Sequence, residues 1–448
     1  MKLSFHGGAQ EVTGANYLLE TPKTNVLIDC GLFQCPQFCS LQNYDAFQYD
    51  VASVDALFIT HAHVDHIGRI PKLMREGFRG KIYSTAPTKE FSVLMLEDSL
   101  GLLQKEADRH GVEMFYSEDE IKKAISRWEV IEYGKQFSVG ELNVMFTEAG
   151  HILGSALVEI AYGDKKLLFT GDLGNIPSPL LRSYAMPRGV THLVIESVYG
   201  DRLHESSTQR KLKLERAIED TVHRGGTIMI PAFALERTQE LLFELNELVE
   251  HGRVPSMPVF MDSPLAIKAT SIYKKYAGYF NNDAKKLIKE GDDLFRFPNL
   301  HFTLKTEESK AINNVPPPKI IIAGAGMMQG GRIVHHAMRY LPDPNNTILF
   351  VGYLAANSLG RRIFDGAKQV EIFGERIPVR LDVRAIGAYS AHADHDALME
   401  FTNATRDSLQ TVFVVQGEPH AALFLSQRIQ DYLGIESRAP NIGDGFEL

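Results

Sequence analysis

Apolar and polar positions divide this chain into two rhythms. Through the first 200 residues, short β-branched or apolar runs end in Asp, Glu, Thr or Ser: "NVLID" (25–29), "VDALFIT" (54–60), "LNVMFTE" (142–148), "KLLFTGD" (166–172) and "THLVIES" (191–197). Runs of this kind predict strands with polar residues at their C-terminal ends, as in an α/β layer protein whose site lies at those ends. A long helical pattern, "TKEFSVLMLEDSLGLLQKEADRHG" (88–111), separates two of them. From about residue 206 the pattern becomes a strict alternation. A Ser/Thr-capped helix, "SSTQRKLKLERAIEDTVHRGG", precedes strand "TIMIPAF", and helix "RTQELLFELNELVEHG" follows. Strands "PVFMDSP", "PKIIIAG" and "TILFVGY" continue it, so this block reads as a parallel α/β domain of its own. The "NNVPPPK" turn (313–319) is a connector inside it.

Composition changes this picture little. At 448 residues two domains are expected, interleaved or in series, and no internal repeat is visible. No apolar run approaches the roughly 18 residues that span a bilayer, and the opening "MKLSFHGGAQEVTGANYLLE" lacks the h-region of a signal peptide. The expectation is a cytoplasmic protein with no membrane partner. Three cysteines, Cys30, Cys35 and Cys39, form an odd set without a fourth ligand, which argues for a reducing compartment and ordinary packing over a cluster or disulfide. A net charge of −9 argues against a broadly basic nucleic-acid binder. Local patches and bound cations still allow one. The run "GRRIFDGAK" (360–368) and the spaced Arg376, Arg380 and Arg384 read as a solvated face.

The chemistry concentrates in "FITHAHVDHIG" (58–68), with three histidines and an aspartate in six positions. His61 and His63, two apart on extended backbone, face the same way and can grip one ion. Asp65 and His66, entering the helix "HIGRIPKLMREG", can reach a second. Imidazole with carboxylate suits zinc. Further ligands are then needed: "TEAGHILGSAL" offers His151 and "LLFTGDLG" offers Asp172, whose carboxylate is placed to bridge two ions.

"NVLIDCG", "HAHVDH", "GHILGSA" and "FTGDLG", in that order, resemble the four metal motifs of the metallo-β-lactamase fold. The resemblance implies an αββα sandwich in which Asp29 supports the ligand loop. His61, His63 and His151 would hold one zinc, Asp65 and His66 the other, and Asp172 would bridge. "LVIESVYGDR", with Glu196, and "AIGAYSAHADH", with His392, are similar to the acidic and histidine motifs of the β-CASP nucleases. "PAFALERTQELL", "MDSPLA", "GAGMMQGGR" and "VGYLAANSLGRRIFDGAKQVEIFGERIPV" resemble that branch's inserted cap. The likeness covers nearly the whole chain and points to the compact bacterial and archaeal RNases related to the polyadenylation factor nuclease, without an extra N-terminal RNA-binding domain. It implies a metallo-β-lactamase domain over 1–205, the β-CASP insertion over 206–381 and a return segment over 382–448.

The chemistry of phosphodiester hydrolysis agrees. Two zinc ions would activate water and clamp the phosphate, and His392 would protonate the leaving alkoxide as general acid. Glu196 would orient the His392 ring and favour its charged form; Asp65 joins them in the catalytic set. "IIIAGAGMMQGGR" runs from a strand into a Gly-rich loop and a helix, so Gly330, Gly331 and Arg332 are candidate RNA-phosphate contacts. Ser390 and Arg237 are added to these. His335 and His336 read as ordinary helix residues.

One departure stands out. RNA-acting members carry histidine before Gly-Glu in their last motif, DNA-acting ones typically valine; here the stretch is "VFVVQGEPHAA", with Gln416. A glutamine carbonyl is a poor zinc ligand, and nothing marks His420 as its substitute. The expectation is a normal first zinc and a weaker second one, held by Asp65, His66, Asp172 and water or Gln416. The leading reading is thus a zinc-dependent ribonuclease acting on single-stranded RNA, with a homodimer implied by family likeness. The alternative is a non-catalytic or weakly active paralogue that binds RNA or an active nuclease. A small-molecule hydrolase comes third, because the cap is expected to frame a cleft of polymer-binding size.

Overall fold

The computed structural model describes residues 1–34, 41–205, 209–352, 354 and 357–448. Cys35, Cys39 and the Ser/Thr cap at 206–208 lie outside the described residues. Contacts gather the chain into two units, Met1–Leu203 with His392–Leu448, and His204–Ala391.

The first unit begins with β1 (Lys2–Phe5), β2 (Tyr17–Glu20), β3 (Asn25–Ile28), β4 (Ala56–Phe58), β5 (Lys81–Ser84) and β6 (Trp128–Val130). It continues through β7 (Gln136–Val139), β8 (Leu142–Glu148), β9 (Ala156–Tyr162), β10 (Lys165–Phe169) and β11 (His192–Glu196). The second unit supplies β12 (Thr227–Pro231), β13 (Val259–Asp262), β14 (Leu300–Phe302), β15 (Lys319–Ala323), β16 (Thr347–Phe350), β17 (Gln369–Ile372), β18 (Glu375–Pro378) and β19 (Asp382–Ala385). The chain then returns to the first unit with β20 (Thr411–Val415), β21 (Glu436–Arg438) and β22 (Gly445–Glu447).

Two seven-stranded sheets build the first unit, in the orders β22-β1-β2-β3-β4-β5-β6 and β21-β20-β11-β10-β9-β8-β7. Each has an antiparallel half and a parallel half; the parallel half starts at β3 in one and at β10 in the other. The period of two along each strand sorts side chains onto opposite faces. Val26 and Ile28 enter the core between the sheets with Phe58, Phe146, Phe169, Phe413 and Val415. Their neighbours Leu27 and Leu57 turn outward onto a helix layer carrying Ile67, Ile70, Leu73 and Leu96. On the other sheet Val412 and Val414 meet Leu398, Phe401 and Leu425. The result is the expected αββα sandwich. The helix expected over 88–111 runs from Ala86 to His110, where Gly111 in a left-handed conformation (φ 66°) ends it.

In the second unit the six strands β14-β13-β15-β12-β16-β19 are all parallel, and β17 pairs with β18 as a hairpin. β12 and β15 are buried along their whole length, which is why they read as unbroken apolar runs. By contacts, residues through Ala391 group with the second unit. Within it, β19 pairs in parallel with β16 from Asp382 to Ala385. Among the described residues no helix is long and apolar enough to cross a membrane.

Candidate metal centre

Almost every candidate side chain in the first unit follows the C-terminal end of a strand. Asp29 comes directly after β3 with φ 58° and is fully buried. Its Oδ1 accepts the Thr60 backbone N–H at 2.8 Å, and its Oδ2 accepts the Thr60 hydroxyl at 2.7 Å and His66 Nδ1–H at 2.7 Å. Having given its proton to Asp29, Thr60 Oγ1 accepts from His61 Nδ1, 3.1 Å away. Both tautomers are thereby set, leaving Nε2 of His61 and of His66 with lone pairs. The ligand turn is tied down by backbone as well: Cys30 and Leu32 donate to the carbonyls of His66 and Val64 at 2.8 and 2.9 Å. Gly31 between them has no substitute, since a Cβ there would lie 1.5 Å from the Asp65 carbonyl oxygen. Cys30 itself is a buried free thiol, its pKa pushed up to about 12 by burial.

His61, His63, His151 and Asp172 offer four donor atoms that all lie within 4.8 Å of one another. His61 Nε2 and His151 Nε2 stand 3.1 and 3.2 Å from His63 Nδ1. Both also stand 3.3 Å from Asp172 Oδ2. Burial, as the largest influence, lowers the pKa of all three histidines, those of His63 and His151 well below the usual value. Asp172 is held well below the carboxylate range: burial opposes ionisation, but His66, His61 and His151 outweigh it. Three imidazole nitrogens and one carboxylate oxygen at these separations are the donor set that a single cation would draw together. A tetrahedron with arms of about 2.0–2.1 Å has edges of about 3.3 Å, so the four donors fit a first-row metal ion.

The second expected site is different. Asp172 Oδ1 does turn the other way, 3.2 Å from His66 Nε2, as a bridging carboxylate would. Asp65 stands off, its Oδ2 4.0 Å from His66 Nε2, and burial is the main influence raising its pKa. Gln416 is buried and reaches both remaining atoms: its amide nitrogen lies 2.8 Å from His66 Nε2 and 2.8 Å from Asp172 Oδ1. Charge alone would load His66 with a second proton, since Asp172 and Asp29 outweigh the opposing effect of burial. The amide decides otherwise: an NH2 group can only donate, so Nε2 facing it keeps its lone pair. His420, four residues on, is exposed and pairs with Asp201 at 3.1 Å.

Beside the cluster, Glu196 at the end of β11 is fully buried and accepts the Leu173 N–H at 2.6 Å. Its two oxygens lie 3.2 and 3.1 Å from His392 Nδ1. A bridge between Gly174 and His392, with the Ala393 N–H donating to the Leu173 carbonyl at 2.7 Å, fixes the histidine there. Burial lowers the pKa of His392, but Glu196 and Asp172 outweigh it and raise it to about 9. His392 Nδ1 is 3.9 Å from Asp172 Oδ2. Sequence reasoning missed Thr60 and Leu173. Only the position of Thr60, between a strand and the ligand turn, hints at its part.

The remaining candidates lie in the second unit. Gly331 (φ 74°) precedes the helix Arg332–Tyr340, and a Cβ on it would meet the Gly324 carbonyl oxygen at 2.3 Å. Arg332 does not point its donors outward. Nη1 donates to Asp262 at 2.7 Å and to the Thr303 carbonyl at 2.8 Å, and Nη2 to the Leu304 carbonyl at 2.8 Å. His336 joins the same aspartate at 2.7 Å, while the His335 ring lies tilted against Phe373. Arg237 is buried, pairs with Glu240 and lies over the Tyr389 ring. Ser390 follows that tyrosine, its N–H donating to the Gly387 carbonyl at 3.0 Å. In the basic stretch, Arg361 pairs with Asp365, and Arg384 with Asp220 and Asp382.

Paired sheets that gather imidazole and carboxylate donors at their strand ends, with a parallel α/β insertion between β11 and β20, define a metal-dependent hydrolase. The chain belongs to the metallo-β-lactamase superfamily and, within it, to the β-CASP branch. Residues 10–224 match the Metallo-beta-lactamase superfamily, 238–363 the Beta-Casp domain, and 376–440 the Zn-dependent metallo-hydrolase RNA specificity domain. The chain is 36% identical over 450 residues to Ribonuclease TTHA0252 of Thermus thermophilus, covering 100% of both proteins. It is 31% identical to an RNase J-like protein of Methanocaldococcus jannaschii, with 98% of this chain and 97% of that protein covered. Transcription termination factor FttA of the same organism is 32% identical over 96% of this chain, which spans 69% of FttA. A crystal structure of a protein of unknown function from Enterococcus faecalis shares the fold, with a TM-score of 0.59, 12% identity, and 100% and 99% of the two chains covered. These likenesses, with the ligand-type residues of the first unit in place, do not favour the non-catalytic alternative.

Proposed function

We propose that this protein is a zinc-dependent ribonuclease that hydrolyses phosphodiester bonds of single-stranded RNA. The observation that carries this reading is the His392–Glu196 pair standing against the metal-ligand cluster, 3.1 Å from carboxylate to ring. The full-length likeness to a protein named ribonuclease supports it. His61, His63, His151 and Asp172 would hold the zinc. When bound, it supplies activation of water and stabilisation of charge on the phosphoryl oxygens.

The other roles fall to the chain's own groups. Asp65, partly buried beside the cluster, takes the proton of the attacking water. As the new bond to phosphorus forms, the bond to the leaving oxygen breaks. His392 gives that oxygen its Nε2 proton, because Nδ1 is held by Glu196 and the ring is charged below about pH 9. The backbone N–H groups of Gly330 and Gly331 and the Ser390 hydroxyl are the proposed RNA contacts. Arg237 and Arg332 hold internal ion pairs and are assigned to the structure of the second unit instead.

The test is cleavage of an end-labelled single-stranded RNA by the zinc-supplemented protein, beside Asp65→Ala and His392→Ala. The wild type is expected to cleave, Asp65→Ala to lose product, and His392→Ala to slow by roughly 10²–10⁴-fold. Turnover of a lactone or thioester with none of RNA would overturn the reading.

A further inference from the structure

We propose that the Gln416 amide takes the place of a second cation between His66 and Asp172, so that this centre holds one metal ion. The inference rests on the metal centre proposed above and departs from the two-zinc expectation. His66 Nε2 and Asp172 Oδ1 are the pair a second ion would join. Both are buried and 3.2 Å apart, and both face each other as acceptors: Nδ1 of His66 already donates to Asp29, and Oδ1 of Asp172 is a carboxylate oxygen. A buried pair of acceptors facing each other needs positive charge or hydrogen between them. One amide nitrogen, 2.8 Å from each, brings two hydrogens to that spot.

Position 416 is built for this contact. Its N–H donates to the Gly8 carbonyl at 2.7 Å, and its own carbonyl accepts the Ser197 N–H at 3.3 Å. The side chain packs over Gly8, where a Cβ would come within 3.3 Å of Gln416 Cγ. Backbone and Cγ therefore hold the amide on His66 and Asp172. To enter, a second ion must break both hydrogen bonds and turn the amide over to present its oxygen, a weak ligand beside imidazole. Asp65, 4.0 Å from His66 Nε2, adds little to that exchange. The first ion is untouched, because it uses the other oxygen of Asp172.

The sign of one substitution separates a competitor from a ligand. Zinc binding is measured by elemental analysis after dialysis and by titration against a chromophoric chelator, for wild type, Gln416→Ala and Gln416→His. The wild type is expected to retain one equivalent. Gln416→Ala removes the internal donors and is expected to bind a second zinc about tenfold or more tightly than wild type does. Gln416→His supplies an imidazole and is expected to retain two equivalents. Two tight equivalents in the wild type, or a second zinc in Gln416→Ala no tighter than in wild type, would overturn the proposal. RNA cleavage plays no part in these readouts. One-zinc protein that leaves RNA intact would defeat the ribonuclease reading and leave this one standing, and two-zinc protein that cuts RNA the reverse.

Discussion

At the scale of single residues, this site works by deciding where protons sit. Asp29 never reaches the ligand cluster, yet through Thr60 it determines which nitrogen of His61 carries hydrogen, and directly which nitrogen of His66 does. Glu196 does the same for His392, and here charge joins geometry. Burial works against the protonated ring, but Glu196 and Asp172 carry its pKa above the usual 6.5 to about 9. A general acid must be protonated, so cleavage is expected to hold below that pKa and to fall as pH rises through it. Glu196→Gln keeps the shape and removes the charge. The alkaline limb of kcat/KM is then expected to move down towards 6.5; a limb that stays where wild type has it would remove Glu196 from this part.

At the scale of elements, strand ends position the chemistry and the second unit shows how a strand end is stabilised. Asp262, the last residue of β13, is fully buried and surrounded by donors: Arg332 at 2.7 Å, His336 at 2.7 Å, Thr303 and Ser309 at 2.6 Å. Burial raises its pKa, yet the hydrogen bonds from His336, Ser309, Thr303 and Arg332 outweigh it and bring it from 3.8 to about 2. A depressed folded pKa means stability that is complete above 3.8 and is lost as pH falls through 2, on the order of 2 kcal/mol. Asp262→Ala leaves the Arg332 guanidinium and the other donors facing a cavity and is expected to destabilise the second unit by about 3–5 kcal/mol. Denaturant melts at pH 7 and pH 3 check both statements: the gap between variant and wild type should shrink at the lower pH.

At the scale of the whole molecule, the chain leaves the first unit after β11 and comes back with β20, which pairs in parallel with β11 from Thr411 to Val415. β22 closes the other sheet against β1. The first unit is therefore assembled from segments some 200 residues apart in sequence, and Gln416 and His392 meet the early histidines only through that return. All four ligands of the proposed zinc lie in this unit. Binding to the folded state alone stabilises it, by about 4 kcal/mol at a free concentration a thousandfold over Kd. Chelation is expected to lower hydrogen-exchange protection in β3, β4 and β10 and to leave β12 and β15 unchanged. Equal loss in both units would place the metal's effect elsewhere.

Much was determined by sequence alone. Short apolar runs ending in polar residues gave the strands and their chemistry-bearing ends, because burial and the period of two act locally. Four ligand-type residues in six positions announced a metal, because such a density has no other local use. Other features needed the tertiary structure. The parallel pairing of β19 with β16 joins Asp382–Ala385 to the sheet of the second unit, which no local pattern records. Arg332 and Arg237 look like anion contacts in the sequence, but buried acids 70 and 3 residues away claim them. Gln416 was legible as a missing ligand; that its amide lies on His66 and Asp172, 350 and 244 residues distant, was decided only when three strand ends converged. Local preference is written in neighbouring residues, whereas a hydrogen-bond partner is chosen by whatever the fold brings within 3 Å.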